Sequence, residues 1–160
     1  MTGEVRHGRC ASGSPGKARP SGEPRLVTGN ALDEARIDRL LANAGAFDAI
    51  VDGLQTAAST DQDLADASRL FGTHLKASLA ASGTGREVVD FACSHQLCLA
   101  QLSDPTPLPL DVAAMMASAG DTCFHAASLS ARVSDRDGQP AIRAVFSIDP
   151  AVNRIVMIPQ

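Results

Sequence analysis

From about residue 26 the apolar positions recur with the period of an amphipathic helix. Ile37, Leu40, Leu41 and Ala44 fall at i, i+3, i+4 and i+7, with Asn30 as a candidate N-cap and Gly45 suited to the C-terminal position. Phe47, Ile50, Val51 and Leu54 repeat that spacing and predict a second, short helix. Leu64, Ala67, Phe71, Leu75 and Leu79 predict a longer third one, closed by Ser82-Gly83-Thr84-Gly85. Thr60 with Asp63 resembles a capping box, and Asp61 and Asp63 complement the positive end of the helix dipole. Gly53 and Gly72 lie inside these helices at a cost of about 1 kcal/mol each relative to Ala, which close packing would explain.

At Val89 the period changes to two. Val89, Phe91 and Cys93 alternate with Asp90 and Ala92, and Cys98, Ala100 and Leu102 alternate with Leu99 and Gln101. One hairpin register pairs Cys93 with Cys98, Phe91 with Ala100 and Val89 with Leu102. Opposed residues on paired strands have Cβ atoms about 4.5–5.5 Å apart, near what a disulfide needs. Asp104-Pro105-Thr106-Pro107 ends the hairpin, and Val112, Met115, Met116 and Ala119 predict a short helix over residues 110–119. A three-strand meander follows. Ala127, Leu129, Ala131 and Val133 are expected to face inward on its first strand, and Ile142, Ala144, Phe146 and Ile148 on its second. Asp135-Arg136-Asp137-Gly138 and Asp149-Pro150 are the turns, and residues 154–158 form the last strand. Helices first and tightly connected strands later predict an α+β fold with a mainly antiparallel sheet and helices on one face. Residues 29–160 read as one domain, preceded by a disordered, basic, Gly/Pro/Ser-rich leader over residues 1–28.

Charge sharpens that division. Residues 1–30 hold five basic and two acidic side chains, whereas the remainder holds nine basic and sixteen acidic, a net −7. A body of that charge repels phosphate backbones, so nucleic acid is not an expected partner. There are five Phe but no Tyr or Trp, which removes the usual anchors of recognition surfaces and the stacking platforms for single strands. No stretch reaches the roughly 18 apolar residues of a membrane span, and residues 1–25 carry no apolar secretion signal. A disulfide implies an oxidising compartment. The expectation is therefore a periplasmic or envelope protein whose true start lies upstream, with a reduced, cytoplasmic protein as the alternative.

Three readings compete for the cysteines. Cys93 and Cys98 can form a disulfide that locks the hairpin. Cys93, His95, Cys98, Cys123 and His125 can instead supply zinc ligands, since Cys93-Ser94-His95 and Cys123-Phe124-His125 are both Cys-x-His pairs. Otherwise the thiols are free and pack as small apolar groups. Cys123–His125 or Cys98–His95 could form a nucleophile and base, but no catalytic residue is assigned, because such pairs are recognised by geometry. Gly83-Thr84-Gly85 precedes a strand and lacks the helix of a phosphate loop. Met115 and Met116, on a helix of small residues, form a candidate partner surface for another protein or for self-association. The expected cofactor set is empty, with zinc as the alternative.

The segment Val88-Val89-Asp90-Phe91-Ala92-Cys93-Ser94-His95-Gln96-Leu97-Cys98-Leu99-Ala100 resembles a hairpin of many uncharacterised exported proteobacterial proteins: an apolar strand, Cys, four residues, Cys and a second apolar strand. The resemblance implies an envelope setting and supplies no activity. The expected role is a non-enzymatic binding or scaffold module, the alternative a zinc-binding or Cys–His hydrolytic protein.

Overall fold

The structure, a computed structural model, describes residues 25–105, 128–149, 151–152 and 154–156. The predicted helix over residues 110–119 and nearly all of the leader lie outside them. The elements in chain order are β1 (Val27–Thr28), β2 (Ala31–Asp33), α1 (Glu34–Ala42), α2 (Ala44–Ala58), α3 (Gln62–Ser82), β3 (Val88–Cys93), β4 (Leu97–Ser103), β5 (Ser128–Arg136), β6 (Gln139–Ser147) and β7 (Arg154–Val156). The fold is α+β, as the order of periodicities predicts.

The helices start on residues other than those expected. Asp33, not Asn30, caps α1 by accepting from the Arg36 amide, because residues 27–33 are drawn into the short β1–β2 hairpin. Asn43 caps α2 and places Gly45 inside that helix. Asp61 replaces the expected Thr60 as the cap of α3, accepting from the Asp63 and Leu64 amides. Gly83 closes α3 in the left-handed conformation at φ +67°, where glycine carries no Cβ penalty.

A four-stranded antiparallel sheet runs in the order β3-β4-β6-β5, and a second sheet runs β1-β2-β7. The third strand of the expected meander therefore leaves the main sheet, and β7 pairs in parallel with β2. β5 and β6 meet at Asp137-Gly138, both with positive φ, the geometry of a tight hairpin turn whose twist matches its strands.

Both faces of the main sheet are buried. Ile37, Leu41, Phe47, Val51 and Leu54 of α1 and α2 pack on Ala92, Leu97, Leu99 and Val145. Leu75 and Leu79 of α3 join Cys98, Ala100, Leu102, Ile142, Ala144 and Phe146 of the opposite face. The helices thus straddle the sheet instead of lying on one face. α3 also covers the free edge of β3, where Ser68 Oγ accepts from the Cys93 amide at 3.0 Å. From α2, Gln55 Nε2 donates to the Phe91 carbonyl at 3.4 Å. Edge groups satisfied in this way are closed to pairing with another chain.

Leu26 and Val27, placed in the leader by the sequence reading, are buried in this core. Val133, expected to face inward, is 54% exposed near the turn end of the outer strand β5.

Candidate functional site

The β3–β4 hairpin organises the molecule's most distinctive local chemistry, and it is fastened differently at its two ends. At the tip Cys93 lies opposite Cys98 and Phe91 opposite Ala100, both as the alternation predicts. The two cysteines are fully buried and stand at disulfide distance, with Cα atoms 4.0 Å apart. Ser94 shapes the loop between them: its amide donates to the Leu97 carbonyl at 2.7 Å, and its hydroxyl accepts from the Leu97 amide at 3.1 Å. His95 Nε2 lies 3.5 Å from Asp61 Oδ2. The loop therefore touches the carboxylate that caps α3.

The expected Val89–Leu102 pair does not form. A bulge between Val88 and Asp90 sets Val88 opposite Leu102 and leaves Val89 46% exposed. The bulge has a consequence at the hairpin's base. Arg86 lies seven residues before Cys93 and Asp104 only six after Cys98. The extra residue brings the two level, and Arg86 Nε donates to Asp104 Oδ1 at 2.9 Å. Their side chains are only 4% and 1% exposed. The Ser103 amide donates to the Glu87 carbonyl at 2.9 Å and the Asp104 amide to the Pro140 carbonyl at 3.0 Å, fixing the base to its neighbours.

An open cleft of about 590 Å³ lies beside this base. Lys76, Leu79 and Ala80 line it from the last turns of α3; Gly83, Gly85, Arg86, Glu87 and Val88 line it from the connection into β3. Gly85, at φ +73°, turns the chain where a Cβ would meet Pro105 at 3.6 Å. Leu79, Ala80 and Val88 supply apolar wall. Lys76 and Glu87 supply opposite charges, one from the helix and one from the strand. Volumes of roughly 300–1,000 Å³ with apolar walls and few polar groups are typical of small-molecule sites.

The expected site residues fare unequally. Cys93 and Cys98 come together, while His95 turns to Asp61. Cys123, His125, Met115 and Met116 lie outside the described residues. Among the described residues no group of three or more His, Cys, Asp or Glu side chains could hold a metal ion. Among the same residues no helix is long and apolar enough to cross a membrane. Sequence reasoning missed Arg86–Asp104 and the cleft, because only the bulge between Val88 and Asp90 brings Arg86 level with Asp104, and the predicted Val89–Leu102 register does not.

No family model, no curated protein and no solved structure matches this chain.

Proposed function

We propose that this chain is a non-enzymatic binding module of the bacterial envelope whose ligand occupies the cleft beside the hairpin base. The observation that carries the reading is the cleft itself, open, partly apolar and built against a hairpin fastened at both ends. Rigid walls favour binding because little side-chain or loop freedom is lost when a ligand enters. The buried Arg86–Asp104 pair keeps the strand entering β3 in place, so Glu87 and Val88 keep their positions relative to Lys76 and Leu79. The envelope setting rests on the buried Cys93–Cys98 pair, which an oxidising compartment would maintain as a disulfide. The protein partner of this reading is a separate contact, with Met115 and Met116 as its candidate surface.

The test is amide chemical-shift mapping with anilinonaphthalene sulfonate, an apolar ring system bearing one anionic group. Shifts concentrated at Lys76, Gly83, Gly85 and Val88 support the cleft as the binding site. Shifts absent there, or scattered over both sheet faces, refute it. Intact mass after thiol alkylation, with and without reduction, tests the compartment: freely alkylated Cys93 and Cys98 in protein from an oxidising compartment would remove the envelope reading.

A further inference from the structure

On the sheet face beneath α1 and α2, one polar row crosses all four strands. Asp90 on β3 is in register with Gln101 on β4, Gln101 with Arg143 on β6, and Arg143 with Arg132 on β5. Directly opposed residues share a face, so these side chains lie side by side on the face that also carries Leu97, Leu99 and Val145. Arg143 is buried and well used: Nη1 donates to the Leu41 carbonyl at the end of α1 at 3.1 Å, and Nη2 to the Asp135 carbonyl at 3.1 Å. Its guanidinium carbon stands 6.0 Å from the centre of the Phe47 ring. Nε reaches no partner. Gln101 is 1% exposed, and neither its amide oxygen nor its amide nitrogen is paired. Asp90 instead meets Arg136, which donates through Nη1 and is held above its usual pKa chiefly by that hydrogen bond.

We infer that Gln101 and Arg143 bind a single ordered internal water between them, roofed by the Asp90–Arg136 ion pair. The chemistry of the free groups selects the ligand. Gln101 Oε1 needs a donor, whereas Gln101 Nε2 and Arg143 Nε need acceptors. A carboxylate or carbonyl can only accept and an ammonium can only donate. A water oxygen does both, and buried waters characteristically make two to four hydrogen bonds to groups that would otherwise stay unpaired. The backbone cannot take this role, because Gln101 and Arg143 lie within the ladder of two central strands. Asp90 and Arg136 are part-exposed, so the roof is the side from which the water exchanges with solvent. This site is on the face away from α3 and is independent of the cleft.

The test is a water-to-amide Overhauser measurement on the unmodified protein, read at the Gln101 side-chain amide protons. A direct transfer from a long-lived water is the expected result, together with a high-resolution crystal structure showing one oxygen within hydrogen-bond distance of Gln101 Oε1 and Arg143 Nε. A second arm uses Gln101→Leu, which should lose that oxygen, and Arg136→Ala, which should keep it while shortening its residence. Direct acceptance of Arg143 Nε by Gln101 Oε1 with no oxygen between them would overturn the inference. So would a Gln101 amide that shows no transfer from water.

Discussion

The two ends of the β3–β4 hairpin do the same mechanical work by different chemistry. At the tip, Cys93 and Cys98 stand at disulfide distance under α3; at the base, Arg86 and Asp104 form a buried ion pair beside the cleft. A cross-link at the tip closes only a short loop, so its stabilisation acts mainly by restricting the unfolded chain and is small. The ion pair contributes little over a well-packed apolar pair, because desolvation offsets the Coulomb attraction. Removing one partner is another matter, since the remaining buried charge then loses the opposite charge beside it. The tip is therefore a modest, chemically switchable fastening, and the base is a fastening whose half-removal is severe.

The largest expected effect follows at the base. Asp104→Ala leaves the Arg86 guanidinium buried without its carboxylate and should destabilise by about 3–5 kcal/mol, read from urea unfolding midpoints. Arg86→Met with Asp104→Leu removes both charges and should recover most of that loss. A double variant as unstable as Asp104→Ala would mean that the ion pair itself, not the avoidance of a buried charge without its opposite, holds the base.

At the tip, adding reductant to the unmodified protein should lower stability by about 2 kcal/mol, the loop-closure value for so short a ring. The comparison breaks if reduction costs more than Asp104→Ala. It sharpens if reduction leaves the amide shifts of Gly85, Arg86 and Val88 unchanged, because the two ends are then independent. A third, smaller effect belongs to the tip's neighbour. Asp61→Ala removes the α3 cap and should cost about 1 kcal/mol, with the largest amide shifts at Asp63, Leu64 and His95.

The contrast also separates what could be read in the chain from what could not. The tip was legible because its signal is local: alternating Phe91, Cys93, Cys98 and Ala100 fix a register by themselves. The three helices were legible for the same reason, although Asn30 and Thr60 lost the cap positions to Asp33 and Asp61. The base was not legible, because the ion pair depends on a one-residue bulge at Val89 that alternation does not reveal. The partner of β7 was equally hidden, since Arg154–Val156 pairs with Ala31–Asp33 from the opposite end of the described chain. Both faces of β6 are buried, and the predicted single apolar face missed Arg143 and its contacts with α1 and β5. Cavities and buried polar rows arise from elements distant in sequence, and periodicity reports only on one element at a time.

Between the two ends, Gly72 on α3 stands over the hairpin's middle, and its behaviour should differ from that of Gly53 on α2. Nothing lies within 4 Å of a Cβ built on Gly53. Gly53→Ala therefore gains helix propensity without a clash and should stabilise by up to about 1 kcal/mol. A Cβ on Gly72 would meet Phe91 Cδ1 at 3.1 Å, and Phe91 packs with its ring centre 6.1 Å from that of Phe146. The same propensity gain is then opposed by displacement of an aromatic pair, so Gly72→Ala should fall short of Gly53→Ala and end near zero or below. Thermal midpoints of the two variants, measured oxidised and reduced, read out how firmly the middle of the hairpin is held. If reduction makes Gly72→Ala less harmful, the tip fastening is what prevents Phe91 from yielding. An unchanged difference would place that resistance in the core around Phe91 and Phe146, with the two ends merely setting where the hairpin begins and stops.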